Sequence, residues 1–251
     1  MLEVTGLEVA ARGGSLLTGV SLKLAEGGSL ALVGESGSGK TTLLRACMGL
    51  LAPGLRVGGS VRWRGRELLQ QRPAQWRRLR RQELAWIPQE PSAALDPRSS
   101  AAAHLGEGLS GDAAVHAATL WAEVGLGLAR RRAYPHEWSG GMQQRLLVAM
   151  ALARQPRLLC ADEPTSALDT LHQAQLLALL ARLRCEHGFA LLLVTHDLAV
   201  AAQAAEHILV LRQGGVVEQG PTAEVLAHPH CDYTAALIAC QPAWRAREVG
   251  A

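Results

Sequence analysis

Apolar and polar positions alternate along residues 2–10 (Leu-Glu-Val-Thr-Gly-Leu-Glu-Val-Ala) and 20–24 (Val-Ser-Leu-Lys-Leu), a period of two that predicts half-exposed strands. The next run does not alternate. Ser29-Leu30-Ala31-Leu32-Val33 is apolar after its first residue, which predicts a strand covered on both faces. A glycine-rich turn follows, then a helix start at Leu43-Leu44-Arg45-Ala46-Cys47-Met48, broken by Gly49-Leu50-Leu51-Ala52-Pro53-Gly54. Residues 58–64 read as another strand beside the first two. In the arginine-dense stretch at 72–81, Trp76 and Leu79 lie three apart, which predicts a short helix with one buried edge. It feeds a strand at 84–87 that ends in Pro88-Gln89-Glu90-Pro91. An alanine-rich, helix-prone segment runs from about 99 to 128, and an apolar helix covers 146–154. Buried strands are predicted at 158–161 and 189–194, with an amphipathic helix over 171–184 between them. Strand patterning returns at 207–212 and 216–218. A helix-like stretch at 223–227 and a short apolar segment at 233–240 close the pattern.

Composition narrows this picture. A chain of 251 residues can form one large domain or two small ones, and it can bury a core. Nearly half of it is apolar, yet no stretch reaches the ~18 residues needed to span a bilayer. Met1-Leu2-Glu3-Val4 lacks the basic-then-apolar form of a secretion signal, so a cytosolic location is expected. A net charge of +3 is too weak to argue for nucleic acid, and the arginines at 72, 77, 78, 80 and 81 read as the wet face of a helix. The five cysteines are scattered without a C-x-x-C pair and read as free thiols. His228-Pro229-His230-Cys231 lacks the second ligand pair that a metal site needs.

Candidate chemistry concentrates at the first glycine-rich turn, Gly34-Glu35-Ser36-Gly37-Ser38-Gly39-Lys40-Thr41-Thr42. Between a buried strand and a helix start, G-x-x-x-x-G-K-[ST] is a phosphate cradle. Glycines reach backbone angles closed to other residues, so successive N–H groups curl around phosphate oxygens. The helix N-terminus adds unpaired N–H groups and its positive dipole end. Lys40 offers a mobile charge to the β- and γ-phosphates, and Thr41 a hydroxyl for Mg²⁺. The motif implies that a nucleoside triphosphate binds.

Three further stretches fit around it. Ser139-Gly140-Gly141-Met142-Gln143 opens a helix, a second place where exposed N–H groups can hold an anion. The strand Leu158-Leu159-Cys160-Ala161 delivers Asp162 and Glu163 at its carboxyl end, the edge where open parallel sheets hold ligands. One carboxylate suits Mg²⁺, and the next can orient and deprotonate an attacking water. Two adjacent buried carboxylates would repel each other without a cation. The strand at 189–194 delivers Thr195-His196-Asp197 in the same way, which favours a functional role for His196.

Taken together, these residues resemble the ATP-binding subunits of ABC transporters over nearly the whole chain. The resemblance covers the Walker A loop at 34–42, the Q-loop Gln89 and the signature Ser139-Gly140-Gly141-Met142-Gln143. It continues through Walker B with Asp162 and Glu163, the D-loop Ser166-Ala167-Leu168-Asp169 and the switch His196. Finer features are similar to the peptide and nickel importer group: residues 88–97, an extended Q-loop; Tyr134-Pro135-His136-Glu137 before the signature; and Met142 within it. The short C-terminus resembles nickel or metal-chelate importer subunits more than the longer peptide-importer ones. Two positions depart from the family pattern. Ala11 stands where an aromatic usually stacks on adenine, and Trp138 stands where Leu usually precedes the signature.

The resemblance implies an α/β P-loop NTPase with a RecA-like parallel-sheet core, an N-terminal antiparallel β subdomain and an inserted helical subdomain. Residues 1–88 and 155–230 would form the core with the β subdomain, about 89–154 the helical subdomain, and 231–251 a short tail. It implies ATP and Mg²⁺ as cofactors, with Thr41, Gln89 and Asp162 near the metal and Glu163, His196 and Gln89 in catalysis. A head-to-tail dimer is implied, in which the signature of one subunit closes over the nucleotide on the other's phosphate loop. Implied partners are integral-membrane permeases, a second identical or related ATPase subunit and, indirectly, an extracytoplasmic substrate-binding protein, but no nucleic acid. The place implied is the cytoplasmic face of the inner membrane, as a peripheral subunit importing nickel, a metal chelate, or di- or oligopeptides. Two alternatives share the nucleotide chemistry. One is an accessory ATPase of phosphonate metabolism that transports nothing, against which only the Q-loop argues. The other is a DNA-associated ATPase, which would carry long heptad coiled coils between Walker A and the signature, absent here.

Overall fold

The computed structural model describes residues 1–241. In chain order the elements are β1 (Leu2–Ala11), β2 (Gly14–Leu24), β3 (Ser29–Val33), α1 (Lys40–Met48), β4 (Arg56–Trp63), β5 (Arg66–Glu67), α2 (Pro73–Gln82) and β6 (Leu84–Ile87). There follow α3 (Pro91–Ala94), α4 (Ala101–Gly106), α5 (Asp112–Glu123), α6 (Gly140–Leu152), β7 (Leu158–Asp162) and α7 (Thr170–His187). The chain ends its described part with β8 (Ala190–Val194), α8 (Leu198–Ala204), β9 (His207–Arg212), β10 (Gly215–Pro221), α9 (Thr222–Ala227) and α10 (Asp232–Ala239). Among the described residues no helix is long and apolar enough to cross a membrane. The chain divides into two compact units, one of Met1–Arg77 with the chain from Ala190 onward, the other Arg78–Phe189.

The first unit contains an antiparallel sheet in the order β2-β1-β4-β5 and a mixed set of strands in the order β10-β9-β3-β8. β3 runs parallel to both neighbours, with Ala31 opposite Leu193 on one side and Ile208 on the other, while β10 returns antiparallel to β9. Every residue of β3 and β8 is buried, which is why these strands read as continuous apolar runs. Burying a Leu such as Leu32, Leu192 or Leu209 completely contributes about 1.5–3 kcal/mol each. β2 is longer than its alternation predicts, starting at Gly14 and not at 20. Pairing with β1 down to Ala11–Gly14 extends it through Ser15, Thr18 and Gly19, which break the pattern.

In the second unit, β6 runs parallel to β7, with Ile87 opposite Ala161, and α6 packs on β6. Helices α3, α4, α5 and α7 all touch α6, which makes it the axis of this unit. The alanine-rich segment is not one helix. Gly108 (φ 63°) and Gly111 (φ 56°) take left-handed angles and separate α4 from α5. Helix α2 straddles the division, and Trp76 and Leu79 are its buried positions, at the spacing the sequence predicts.

Candidate functional site

In the first unit, β3 ends at Val33 and the chain turns into α1, which begins at Lys40. Two glycines make the turn possible. At Gly34 (φ 146°) a Cβ would lie 2.2 Å from the Leu211 carbonyl oxygen of β9, and at Gly39 (φ 104°) 2.7 Å from a Leu17 methyl of β2. The loop is tied from behind, where Gly214 N–H donates to the Ser38 carbonyl at 3.0 Å. Lys40 is only 5% exposed, and its ammonium donates to the carbonyls of Gly34 (2.8 Å) and Glu35 (2.7 Å). The positive charge therefore lies within the curl of the loop. Ser38 Oγ is buried without a hydrogen-bond partner among the described residues, a state that costs about 1–3 kcal/mol until a polar group meets it. A loop whose glycines press against β9 and β2, an ammonium folded into it and an orphaned hydroxyl all lie at the start of a nine-residue helix. That arrangement fits phosphate.

His196, in the same unit, follows β8 and is exposed. The turn around it is closely held. Asp197 N–H donates to Thr195 Oγ1 at 3.0 Å, and the Asp197 carboxylate caps α8, accepting from Ala199 N–H at 2.7 Å and Val200 N–H at 3.4 Å. The Gln241 amide donates to the His196 carbonyl at 2.7 Å and accepts from Leu198 N–H at 2.8 Å. Tyr233 reaches the phosphate loop, where Glu35 N–H donates to its hydroxyl at 3.2 Å. Neither Tyr233 nor Gln241 was singled out from sequence. Tyr233 could have been marked as one of two tyrosines in the chain; nothing in the pattern marks Gln241.

In the second unit, Asp162 is the last residue of β7 and 4% exposed. Glu163 follows it in a left-handed conformation, φ 46°, which costs a non-glycine residue ~1–2 kcal/mol. Its carbonyl accepts from Ser166 N–H (3.2 Å) and Ser166 Oγ (3.1 Å), bonds that fix the strained turn. Gln89 Nε2 donates to Glu163 Oε2 at 3.4 Å, a long contact. The structure thus brings Gln89, Asp162 and Glu163 together.

The Ser-Gly-Gly stretch opens α6 itself, which starts at Gly140 and not at 146. Ser139 is the N-cap, its hydroxyl accepting from Met142 N–H at 3.4 Å, and this capping lets a pair of glycines sit in a first helical turn. A Cβ at Gly141 would stand a tight 3.3 Å from the His172 ring. Gln143 turns its amide back, donating to the carbonyls of Pro135 (2.8 Å) and Trp138 (3.3 Å). Trp138 is buried edge-on to Trp121, ring centroids 5.9 Å apart. Asp169 caps α7; the His172 N–H, and then the His172 imidazole, hold its carboxyl below the ordinary Asp range.

Comparison with known proteins bears on the family and the fold. A sequence profile described as ABC transporter matches residues 17–166. The chain is 38% identical over 234 residues to the dipeptide transport ATP-binding protein DppD of Lactococcus lactis, covering 89% of this chain and 67% of that one. It is likewise 38% identical over 232 residues to the oligopeptide transport ATP-binding protein OppD of Escherichia coli, covering 89% and 69%. It therefore spans about two thirds of the length of each. Among solved structures, the ATP-binding cassette MJ0796, a dimer in a post-hydrolysis state bound to ADP and Pi, superposes with a TM-score of 0.77. The two are 27% identical, over 88% of this chain and 99% of that one. The chain belongs to the ABC transporter family, as an ATP-binding cassette of that family.

Proposed function

We propose that this chain hydrolyses ATP with Mg²⁺ and thereby powers a membrane importer of di- or oligopeptides from the cytoplasmic face of the inner membrane. The observation that carries the reading is the phosphate loop, with Lys40 folded into it and a close approach to β9 that only glycine at position 34 allows. The names of the relatives favour peptides over nickel or a metal chelate as cargo. ATP supplies the phosphoryl group and Mg²⁺ the charge neutralisation. The chain's own groups do the rest. N–H groups of Ser36, Gly37, Ser38 and Gly39 cradle the phosphates, Glu35 N–H being held by Tyr233; Lys40 leaves the carbonyls of Gly34 and Glu35 for them; Thr42 flanks them. Thr41, Gln89 and Asp162 hold Mg²⁺, Glu163 orients a water and takes its proton, and His196 meets the γ-phosphate. Ser139, Gly140, Gly141, Met142 and Gln143 of a second ATPase subunit face the same phosphates. Because the Gln143 amide donors are held within its own turn, the N–H groups at the start of α6 carry that contact. Permease subunits and an extracytoplasmic substrate-binding protein complete the complex.

The test is co-purification of tagged Glu163→Gln protein from solubilised membranes with ATP and Mg²⁺, with partners identified by mass. Two polytopic permeases and a second ATPase are expected. Soluble enzymes or nucleic acid alone would remove the transport reading. A second expectation concerns the base. Ala11, at the end of β1, cannot stack on adenine, and stacking contributes ~1–3 kcal/mol in nucleic-acid binders. Ala11→Tyr should therefore tighten ATP binding at least about fivefold and sharpen ATP over GTP. Unchanged competition between the two nucleotides counts against that placement.

A further inference from the structure

Two polar contacts of the first unit share one origin. Helix α10 carries Tyr233 in its first turn, and Gln241 lies two residues past the helix end. Tyr233 is 9% exposed, packed in a cluster with Ala31 and Val33 of β3 and Val210 of β9, with the Arg212 guanidinium 4.8 Å over its ring. Its hydroxyl is thereby placed by the same strands that carry the phosphate loop, and it receives Glu35 N–H at 3.2 Å. At the other end, the Gln241 amide uses both of its functions. It donates to the His196 carbonyl and accepts from Leu198 N–H, so one side chain bridges the peptide groups on both sides of Asp197. The first of these, the 196–197 peptide, adjoins the His196 Cα and so helps to set the direction in which its side chain leaves the backbone.

We propose that α10 with Gln241 is a strap that positions both nucleotide-contact segments of this unit, Tyr233 holding the phosphate loop at Glu35 and Gln241 the turn that carries His196. The inference rests on the functional reading above, in which that loop and His196 meet ATP. Both are positioning residues, acting through backbone groups of their neighbours. A surface helix that merely packed on the strands would need neither a tyrosine hydroxyl at the loop nor an amide with its donor and acceptor both engaged.

The test uses the full chain as wild type, Tyr233→Phe, Gln241→Ala and Gln241→Glu. It reads amide hydrogen exchange without nucleotide, ATP affinity and steady-state turnover. Gln241→Ala should speed exchange at Leu198 N–H by about tenfold and lower kcat about fivefold, with the loss in kcat larger than any loss in ATP affinity. Gln241→Glu keeps an acceptor for Leu198 N–H but sets an oxygen against the His196 carbonyl. It should restore slow exchange at Leu198 while leaving kcat low, a separation that a packing role does not produce. Tyr233→Phe should speed exchange at Glu35 and weaken ATP binding about threefold. The two near-isosteric variants keep the test decisive if Gln241→Ala folds poorly. Unchanged exchange at both amides, or faster exchange with kcat and ATP affinity unmoved, overturns the strap alone. Wild-type protein that neither binds nor hydrolyses ATP overturns the functional reading and the strap with it.

Discussion

Glu163→Gln should bind ATP about as tightly as wild type and lose at least about 100-fold in turnover, the lower range for removing a general base. The substitution is nearly isosteric, and its amide oxygen keeps an acceptor for the 3.4 Å bond from Gln89. It also removes one of two neighbouring carboxylates, Asp162 being 4% exposed beside it, so charge repulsion before metal binding falls and does not rise. What disappears is the proton acceptor. An equilibrium nucleotide titration set against a phosphate-release assay separates the two effects. Retained hydrolysis would remove the base assignment from Glu163 and direct attention to His196.

Gly34→Ala should do the reverse and destroy binding first. A Cβ at this position would stand 2.2 Å from the Leu211 carbonyl oxygen, backbone that no rotamer change can move aside, and φ 146° suits glycine alone. Either the loop or the end of β9 must shift, at a cost of about 2–4 kcal/mol in stability. The Gly34 carbonyl is also one of the two that hold the Lys40 ammonium, so the charge shifts with the loop. Gly37→Ala is the internal comparison. Its φ of 80° is equally left-handed, but nothing lies within 4 Å of the added carbon, so a cost nearer 1 kcal/mol is expected. Thermal unfolding and ATP affinity of the two variants give the comparison. Equal behaviour would mean that the close approach at Leu211 does not govern the loop.

The phosphate loop was legible because all its requirements are local. A buried strand, glycines at two fixed spacings and a helix start fall within a dozen residues. The strands β3, β7 and β8 were legible for the same reason, since burial on both faces leaves an unbroken apolar run. Where two tendencies compete, the pattern misled. Alanine content favours helix throughout 99–128, and Gly108 and Gly111 interrupt it. The start of α6 was legible all the same: glycine propensity argues against helix there, but the Ser-Gly-Gly stretch reads as opening one, and the Ser139 cap outweighs the propensity. Contacts set by the tertiary fold left no trace at all. Tyr233 meets Glu35 across 198 positions and Gln241 meets His196 across 45, distances at which no periodicity carries information. The cargo was not legible, because the extended Q-loop and the signature's flanks resemble peptide and nickel importers alike.

The left-handed backbone at Glu163 has a bearing on how this sequence can drift. A position held at φ 46° by its turn is one where glycine would relax the chain, by about 1 kcal/mol. Glu163→Gly should therefore melt at a higher temperature than the wild type while losing hydrolysis. Selection for durability and selection for turnover pull in opposite directions at this one residue. A descendant released from the need to hydrolyse ATP would be expected to give up the glutamate early and to gain stability by doing so.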